Sequence, residues 1–206
     1  MVSKKDLAIV LSLLERFSAP KINLEQYATD GEIAATILWD AFMQGNIKNK
    51  VVADLGCGTG VLGIGCLLLG AKKVYFVDCD EISIALLHKN LKMAYDSYEI
   101  PGTYEIEYRN VDGFFQEVDI VVQNPPFGTQ EKHADKMFLE KAFSIAKVVY
   151  SFHKTATKSF VSAIALDYGF RIKQTADFSF PLKKTMQQHT KKVEMIEVSC
   201  FWMERV

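Results

Sequence analysis

Residues 51–69 constrain this chain more than any other stretch. Val51-Val52-Ala53-Asp54-Leu55 is an apolar, β-branched run interrupted by one carboxylate, and it passes directly into Gly56-Cys57-Gly58-Thr59-Gly60. From Gly60 to Leu69 the pattern becomes helical and apolar. A buried strand that reverses into a helix through closely spaced glycines opens a βαβ crossover. Repeated, such units build a mostly parallel sheet covered by helices on both faces. The glycines let the backbone turn tightly and approach a bound molecule closely. The helix that follows carries its positive end toward that place. A tight strand-to-helix turn without a ligand is the alternative.

The rest of the chain keeps the alternation. The patterns predict strands over 74–78, 103–109, 118–123 and 147–151, and helices over 81–95, 134–146 and 157–168. Ahead of the first strand, residues 3–16 read as an amphipathic helix capped by Ser3, with Leu7, Val10, Leu11 and Leu14 on one stripe. Residues 21–28 look extended. Thr29 and Glu32 stand at capping-box spacing for a second helix over 30–44. Two strands over 172–180 and 193–202, with no helix between them, point to an antiparallel sheet edge. A chain of 206 residues with 49% hydrophobic content supports one substantial core. We expect one domain over 1–206, made of an N-terminal helical extension (1–45) and an α/β core (50–206).

Composition narrows the function classes. The longest strongly apolar run, 61–71, is too short for a bilayer span. Cys57, Cys66, Cys79 and Cys200 form no CxxC pair, so thiols in a reducing cytoplasm are expected rather than a zinc site. A net charge of −1 neither favours nor excludes a nucleic-acid partner.

Asp78 lies at the end of the second strand, where a carboxylate can accept both hydroxyls of a ribose. Gly58-Thr59-Gly60-Val61-Leu62-Gly63 matches the dinucleotide fingerprint literally, so a nicotinamide oxidoreductase is one reading. Asp54 opposes it, because a carboxylate at that point repels a pyrophosphate and attracts an ammonium or sulfonium group. The pattern Asp54-x-Gly56-x-Gly58-x-Gly60 resembles motif I of S-adenosylmethionine-dependent methyltransferases. Asp78 then matches the acid that holds the cofactor's ribose. Asp112-Gly113 resembles the position that contacts its adenine amine, with an ordinary Asx-turn as the alternative.

Asn124-Pro125-Pro126-Phe127 follows the 118–123 strand. Proline cannot extend a strand ladder, so the pair forces a stiff turn at the strand's carboxyl end, where ligands bind in open α/β sheets. In the same superfamily an Asn-Pro-Pro-aromatic turn marks methylation of a planar amine. An adenine amino nitrogen is a weak nucleophile because its lone pair is delocalised. The Asn124 and Pro125 oxygens could each accept one of its N–H groups, freeing that pair for in-line attack. Phe127 would stack on the ring. An Asx-turn before two prolines is the alternative for Asn124.

Leu24-Glu25-Gln26-Tyr27-Ala28-Thr29, the glycine turn, Asn124-Pro125-Pro126-Phe127-Gly128-Thr129 and Tyr150-Ser151-Phe152-His153-Lys154 together resemble the methyltransferase-like protein 5 family of N6-adenosine RNA methyltransferases. The resemblance implies a Rossmann-like, seven-stranded α/β methyltransferase fold with an antiparallel last strand. It implies methylation of an adenosine in small-subunit ribosomal RNA, and a small zinc-binding activator protein as partner. It also implies cofactor contacts from Gln26, Thr29, Gly56, Thr59 and Val61. From the residues alone, Gln26 and Tyr27 read equally as a solvated and a packing side chain.

Two basic groups suggest phosphate contacts: Lys147, His153, Lys154 and Lys158, and the hairpin loop bearing Lys183, Lys184, Lys191 and Lys192. A solvated lysine face is the alternative. Three rival activities remain: N5-glutamine methylation of a protein, N2-guanosine methylation of RNA, and an RNA scaffold that only binds the cofactor.

Overall fold

The computed structural model describes residues 2–17, 29–127, 134–182 and 194–206. One sheet of seven strands runs through it, in the order β3-β2-β1-β4-β5-β7-β6. The first five in chain order are β1 (Val51–Leu55), β2 (Lys73–Asp78), β3 (Thr103–Tyr108), β4 (Ile120–Gln123) and β5 (Val148–Lys154). They pair in parallel. The last two are β6 (Phe170–Leu182) and β7 (Glu194–Arg205).

The antiparallel strand is β7, yet it is not the edge. It inserts between β5 and β6 and leaves β6 outermost. Burial explains the order. Val198, Ser199, Cys200, Phe201 and Met203 of β7 are all buried, covering both faces of the strand. Strand β6 is exposed or half-buried from Arg171 to Ser179. The doubly apolar strand goes inside, and the more polar one takes the edge, where charge and exposure discourage pairing with other chains.

Helices α1 (Lys4–Leu13), α2 (Gly31–Met43), α3 (Val61–Leu68) and α4 (Glu81–Ser97) cover one face. They pack on the even-numbered inward residues Val52, Val74, Phe76, Ile120, Val122 and Phe152. Helices α5 (Ala134–Ile145) and α6 (Lys158–Asp167) cover the other, on Ala53, Leu55, Val77, Val121, Val149 and Phe201. The split follows the two-residue period of the strands.

The Ser3 cap is present as a full capping box with Asp6. For α2 the expected Thr29–Glu32 box does not form. Asp30 is the cap, its carboxylate accepting from the N–H groups of Glu32 at 2.9 Å and Ile33 at 3.4 Å. The Thr29 hydroxyl accepts from Asn124 instead.

The parallel strands are aligned by register. Leu55 of β1 stands opposite Gln123 of β4, so both strands end together. Their order also reverses there: from β1 the sheet runs to β2 and β3 on one side, and to β4 and β5 on the other. A crevice opens outside the strand ends at such a point.

Gly60 joins β1 to α3. It caps the helix in the left-handed conformation, with φ at +88°. An added Cβ would lie 2.3 Å from Leu87 Cδ1 of α4. Gly60→Ala should therefore lower unfolding free energy by about 1–2 kcal/mol or more from the backbone alone. A urea midpoint indistinguishable from wild type would contradict this account of the turn.

Candidate active site

The Leu55–Gln123 register places Gly56 and Asn124, one residue past each strand, side by side at the switch point. The glycine turn is held from beneath. Gly56 and Cys57 both donate to the Val77 carbonyl of β2, at 2.8 and 3.0 Å. Gly56, Gly58 and Gly60 all have positive φ, so these three positions of the turn admit other residues only with strain.

Two carboxylates frame it. Asp78, half-buried at the end of β2, accepts from Gly58 N–H at 2.8 Å and Asp80 N–H at 2.9 Å. Burial raises its pKa against those backbone donors. Asp54 is 1% exposed and lies under the turn. Its Oδ2 accepts from Gly63 N–H in the first turn of α3 at 2.8 Å. The sequence suggested a carboxylate facing a cationic group. The observed Asp54 ties the strand to the helix.

Burial pushes the Asp54 pKa up to about 7, with the Gly63 N–H opposing and the Asp78 charge adding to the rise.

Asn90 of α4 completes the support, and no motif announced it. Its amide donates to the Thr59 carbonyl at 2.9 Å and the Glu15 carbonyl at 3.1 Å, and accepts from Glu15 N–H at 2.7 Å. The end of the N-terminal helix is thereby pinned to the glycine turn. Thr59 Oγ1 is buried and has no hydrogen-bond partner among the described residues. A buried hydroxyl left so costs about 1–3 kcal/mol, which favours a polar ligand atom there. Val61 is buried as the first residue of α3.

Asn124 is half-buried, and its Nδ2 donates to Thr29 Oγ1 at 3.0 Å. Pro125 is buried and Pro126 half-buried. Phe127 requires a correction. Its ring is 7% exposed and belongs to the core cluster on the α1–α4 face. The expected open stacking face is packed, because a large apolar ring gains more from burial than from water. Phe127 anchors the turn.

Asp112 is exposed in a short 3-10 turn, Val111–Gly113, just after β3. Arg109 N–H donates to the Asp78 carbonyl at 3.0 Å, which joins that turn to the β2 end.

His153 is a second correction. It is 1% exposed, so it offers nothing to a phosphate or base at the surface. Burial lowers its pKa against the pull of Asp135, leaving a neutral ring. The ring sits in a buried polar chain. Gln123 Nε2 donates to Ser151 Oγ at 2.9 Å, Ser151 Oγ lies 2.6 Å from His153 Nε2, and His153 Nδ1 lies 3.8 Å from Asp135 Oδ2. Alternating polar residues on the inner face of β5 carried that signal, unread because His153 was taken for surface.

Lys154 and Lys158 lie at the carboxyl end of β5, half-buried and exposed respectively. Lys147 precedes β5 and so lies at the opposite rim, roughly 20 Å away along the strand. It does not join them. Gln26, Tyr27, Lys183, Lys184, Lys191 and Lys192 lie outside the described residues. Among the described residues no group of three His, Cys, Asp or Glu side chains could hold a metal, and no helix is long and apolar enough to cross a membrane.

The Asp54 shift has a signed consequence. Its folded pKa, about 7, lies above its ordinary 3.8. The folded state keeps a proton that the unfolded chain has released, so this group's contribution is full below the unfolded value and is lost as pH rises through about 7. Asp54→Asn keeps an oxygen for Gly63. Relative to that variant, wild type should lose stability between about pH 4 and pH 7, then run parallel. Urea titrations of both at about pH 5 and about pH 8 read the difference, and an unchanged gap refutes it.

Comparison with known proteins agrees with this architecture. Residues 28–150 match the family model of the methyltransferase small domain. The chain is 39% identical to the uncharacterized protein MJ0284 of Methanocaldococcus jannaschii, covering 100% of this chain and 96% of that one. It is 34% identical to the rRNA N(6)-adenosine-methyltransferase METTL5 of Danio rerio, over 94% of this chain and 95% of that one. The crystal structure of PH1948 from Pyrococcus horikoshii, a candidate RNA methyltransferase, superposes with a TM-score of 0.89 at 42% identity, covering 100% and 99% of the two chains. The two turns set side by side at the switch point thus stand in a chain that belongs to the methyltransferase small-domain family and, within it, to the group containing METTL5.

Proposed function

We propose that this chain transfers a methyl group from S-adenosylmethionine to N6 of an adenosine in small-subunit ribosomal RNA. The observation that carries the reading is the Leu55–Gln123 register, which sets a nucleotide-type glycine turn beside an amine-type Asn-Pro-Pro-Phe turn. Similarity to METTL5 along nearly the whole chain supports the RNA substrate.

The residues fit such a cofactor. Asp78 ends β2 with a half-buried carboxylate suited to ribose hydroxyls, and the Thr59 hydroxyl of the glycine turn is buried without a hydrogen-bond partner among the described residues. Gly56, Gly58, Gly60 and Val61 would line the turn and Asp112 and Gly113 the adenine end, with further contacts from Gln26 and Thr29. The cofactor supplies an electrophilic methyl group. The chain's part is positioning. The Asn124 and Pro125 oxygens would accept the two N–H groups of the target amine and turn its lone pair toward the reaction axis. These dipoles are preorganised, so no side chain with a tuned pKa has to remove a proton before attack. Lys154, Lys183, Lys184, Lys191 and Lys192 would grip phosphates.

The reading takes residues 1–206 as one functional unit, with the 1–45 extension serving the 50–206 core. A cytoplasmic setting accords with four cysteines among which no disulfide forms. The partner in this reading is a small zinc-binding activator. Its motive is β3, an edge strand that among the described residues is paired on one side only and that exposes Tyr104 and Tyr108 at 41% and 63%. Co-expression with such an activator should raise soluble yield and turnover. Equal solubility and full activity of the chain alone would remove the activator and nothing else.

Incubation with labelled S-adenosylmethionine and separated small- and large-subunit ribosomal RNA, followed by nucleoside mass spectrometry, tests the function. N6-methyladenosine from the small-subunit RNA alone is expected. N2-methylguanosine, or label in protein, would replace the reading with one of its rivals. Asn124→Ala should lower turnover on the order of a hundredfold or more while leaving cofactor affinity near wild type. Asp78→Ala should instead weaken cofactor binding by about 1–3 kcal/mol in calorimetry.

A further inference from the structure

The buried polar chain through His153 ends on the residue that carries the Asn124 turn. Val121 and Val149 face the α5–α6 layer, so Gln123 and Ser151, two residues further along β4 and β5, face it as well. Gln123 Nε2 donates to Ser151 Oγ, which contacts His153 Nε2, and His153 Nδ1 faces Asp135 in the first turn of α5. Gln123 is the last residue of β4, and Asn124 follows it directly. Phe127, three residues beyond Asn124, is anchored in the opposite layer, that of α1–α4. The Asn-Pro-Pro segment is thus held between an anchor on each face of the sheet, one polar and one apolar.

We propose that His153 is a positioning residue for methyl transfer, which as its Nδ1–H tautomer passes the hydrogen-bond direction set by Asp135 through Ser151 to Gln123 and so holds the base of the Asn124 turn. The proposal rests on the amine-methylation reading above. A hydroxyl donates or accepts, so Ser151 alone fixes no direction. Asp135 fixes it. Burial raises the Asp135 pKa, but the imidazole and the N–H groups at the helix start lower it more, so the carboxylate stays ionised. An ionised carboxylate only accepts, and its charge favours the imidazole proton on Nδ1, the nitrogen that faces it. Nε2 is then an acceptor, and the single Ser151 hydrogen is committed to it. The Ser151 oxygen can only accept from its other neighbour, which requires the NH2 end of Gln123. A reversed amide would set oxygen against oxygen. The arrangement leaves Gln123 Oε1 buried with no hydrogen-bond partner among the described residues, which stability alone would not select.

The variants separate this direction from packing. His153→Phe keeps a planar ring and removes both nitrogens. His153→Gln returns a polar group at the Nε2 position. Asp135→Asn replaces an acceptor by a group that also donates, so neither tautomer is imposed. Gln123→Met keeps the length and removes the end of the chain. All are made in the full chain, with circular dichroism melting as the folding control. Turnover, the Michaelis constant for RNA and calorimetric affinity for S-adenosylmethionine are measured for each. Nuclear magnetic resonance of the ring nitrogens, in protein without cofactor, reports the His153 tautomer independently of activity.

Wild type should show a protonated Nδ1 and a bare Nε2 at neutral pH, and Asp135→Asn a mixture of tautomers. His153→Phe should lower kcat by about tenfold, with KM for RNA and cofactor affinity within about twofold of wild type. His153→Gln should recover most of that loss. In the Gln123→Met background, His153→Phe should change kcat little further. An Nε2–H tautomer in wild type overturns the inference, as does an unchanged kcat in His153→Phe. So does a loss of the same size in the Gln123→Met background, or one confined to cofactor affinity. If His153→Phe does not fold, Asp135→Asn takes its place, and its smaller kcat loss should vanish in the Gln123→Met background; persistence there overturns the inference. Should Asn124→Ala retain full activity, the amine-positioning reading itself fails, which a failure at His153 alone does not imply.

Discussion

The pairing of β1 with β4 is the contact on which the rest of the site depends. These strands lie 65 or more residues apart in sequence, and nothing local sets their alignment. Register between parallel strands comes from the faces they bury, because a one-residue slip would turn every inward side chain outward. Here Val52 and Ile120 face one helical layer while Ala53 and Val121 face the other. The apolar pattern that fills both layers thus also brings the glycine turn and the Asn-Pro-Pro-Phe turn to the same height. The relative placement of the two turns is a by-product of core packing at this point of the sheet.

Around that contact, several buried polar side chains hold backbone or other side chains in place. Asp54 fastens the first turn of α3, Asn90 fastens Thr59 and Glu15, and Gln123 reaches Ser151 and through it His153. Each satisfies groups that burial would otherwise leave unmade, at a cost of about 1–3 kcal/mol apiece. The result is a stiff frame beneath a turn whose positive-φ positions are glycines. Stiffness suits a reaction in which the protein's contribution is alignment. The pKa values agree with this division of labour: Asp54 rises and His153 falls because both are removed from water. Neither has the exposure needed to trade protons with a substrate.

Legibility varied by residue for physical reasons. Gly56, Gly58, Gly60 and Asp78 could be read because their roles are local: a turn needing positive φ, and a carboxylate at a strand end. Asn124 could be read because two following prolines announce where the strand must stop. Phe127 and His153 were misread for the same cause. Both residue types serve equally on a surface or in a core, and only neighbours distant in sequence decide which. Asn90 carried no signal, since a polar residue in the middle of a helix usually faces solvent. The capping of α2 turned on a competition that sequence spacing cannot rank. Asp30 took the helix end because Thr29 is engaged across the sheet.

By itself the sequence determined the class of fold, the element types and the positions of the glycine turn and the Asn-Pro-Pro-Phe turn. Each of these follows from short-range rules of periodicity, proline and glycine. It did not determine that β7 would pass inside β6, that Phe127 would pack and His153 disappear into the core, or that Thr29 would meet Asn124. Those outcomes depend on which surfaces are buried against which. Burial is a property of the assembled sheet and its two helical layers, so only the tertiary structure decided them.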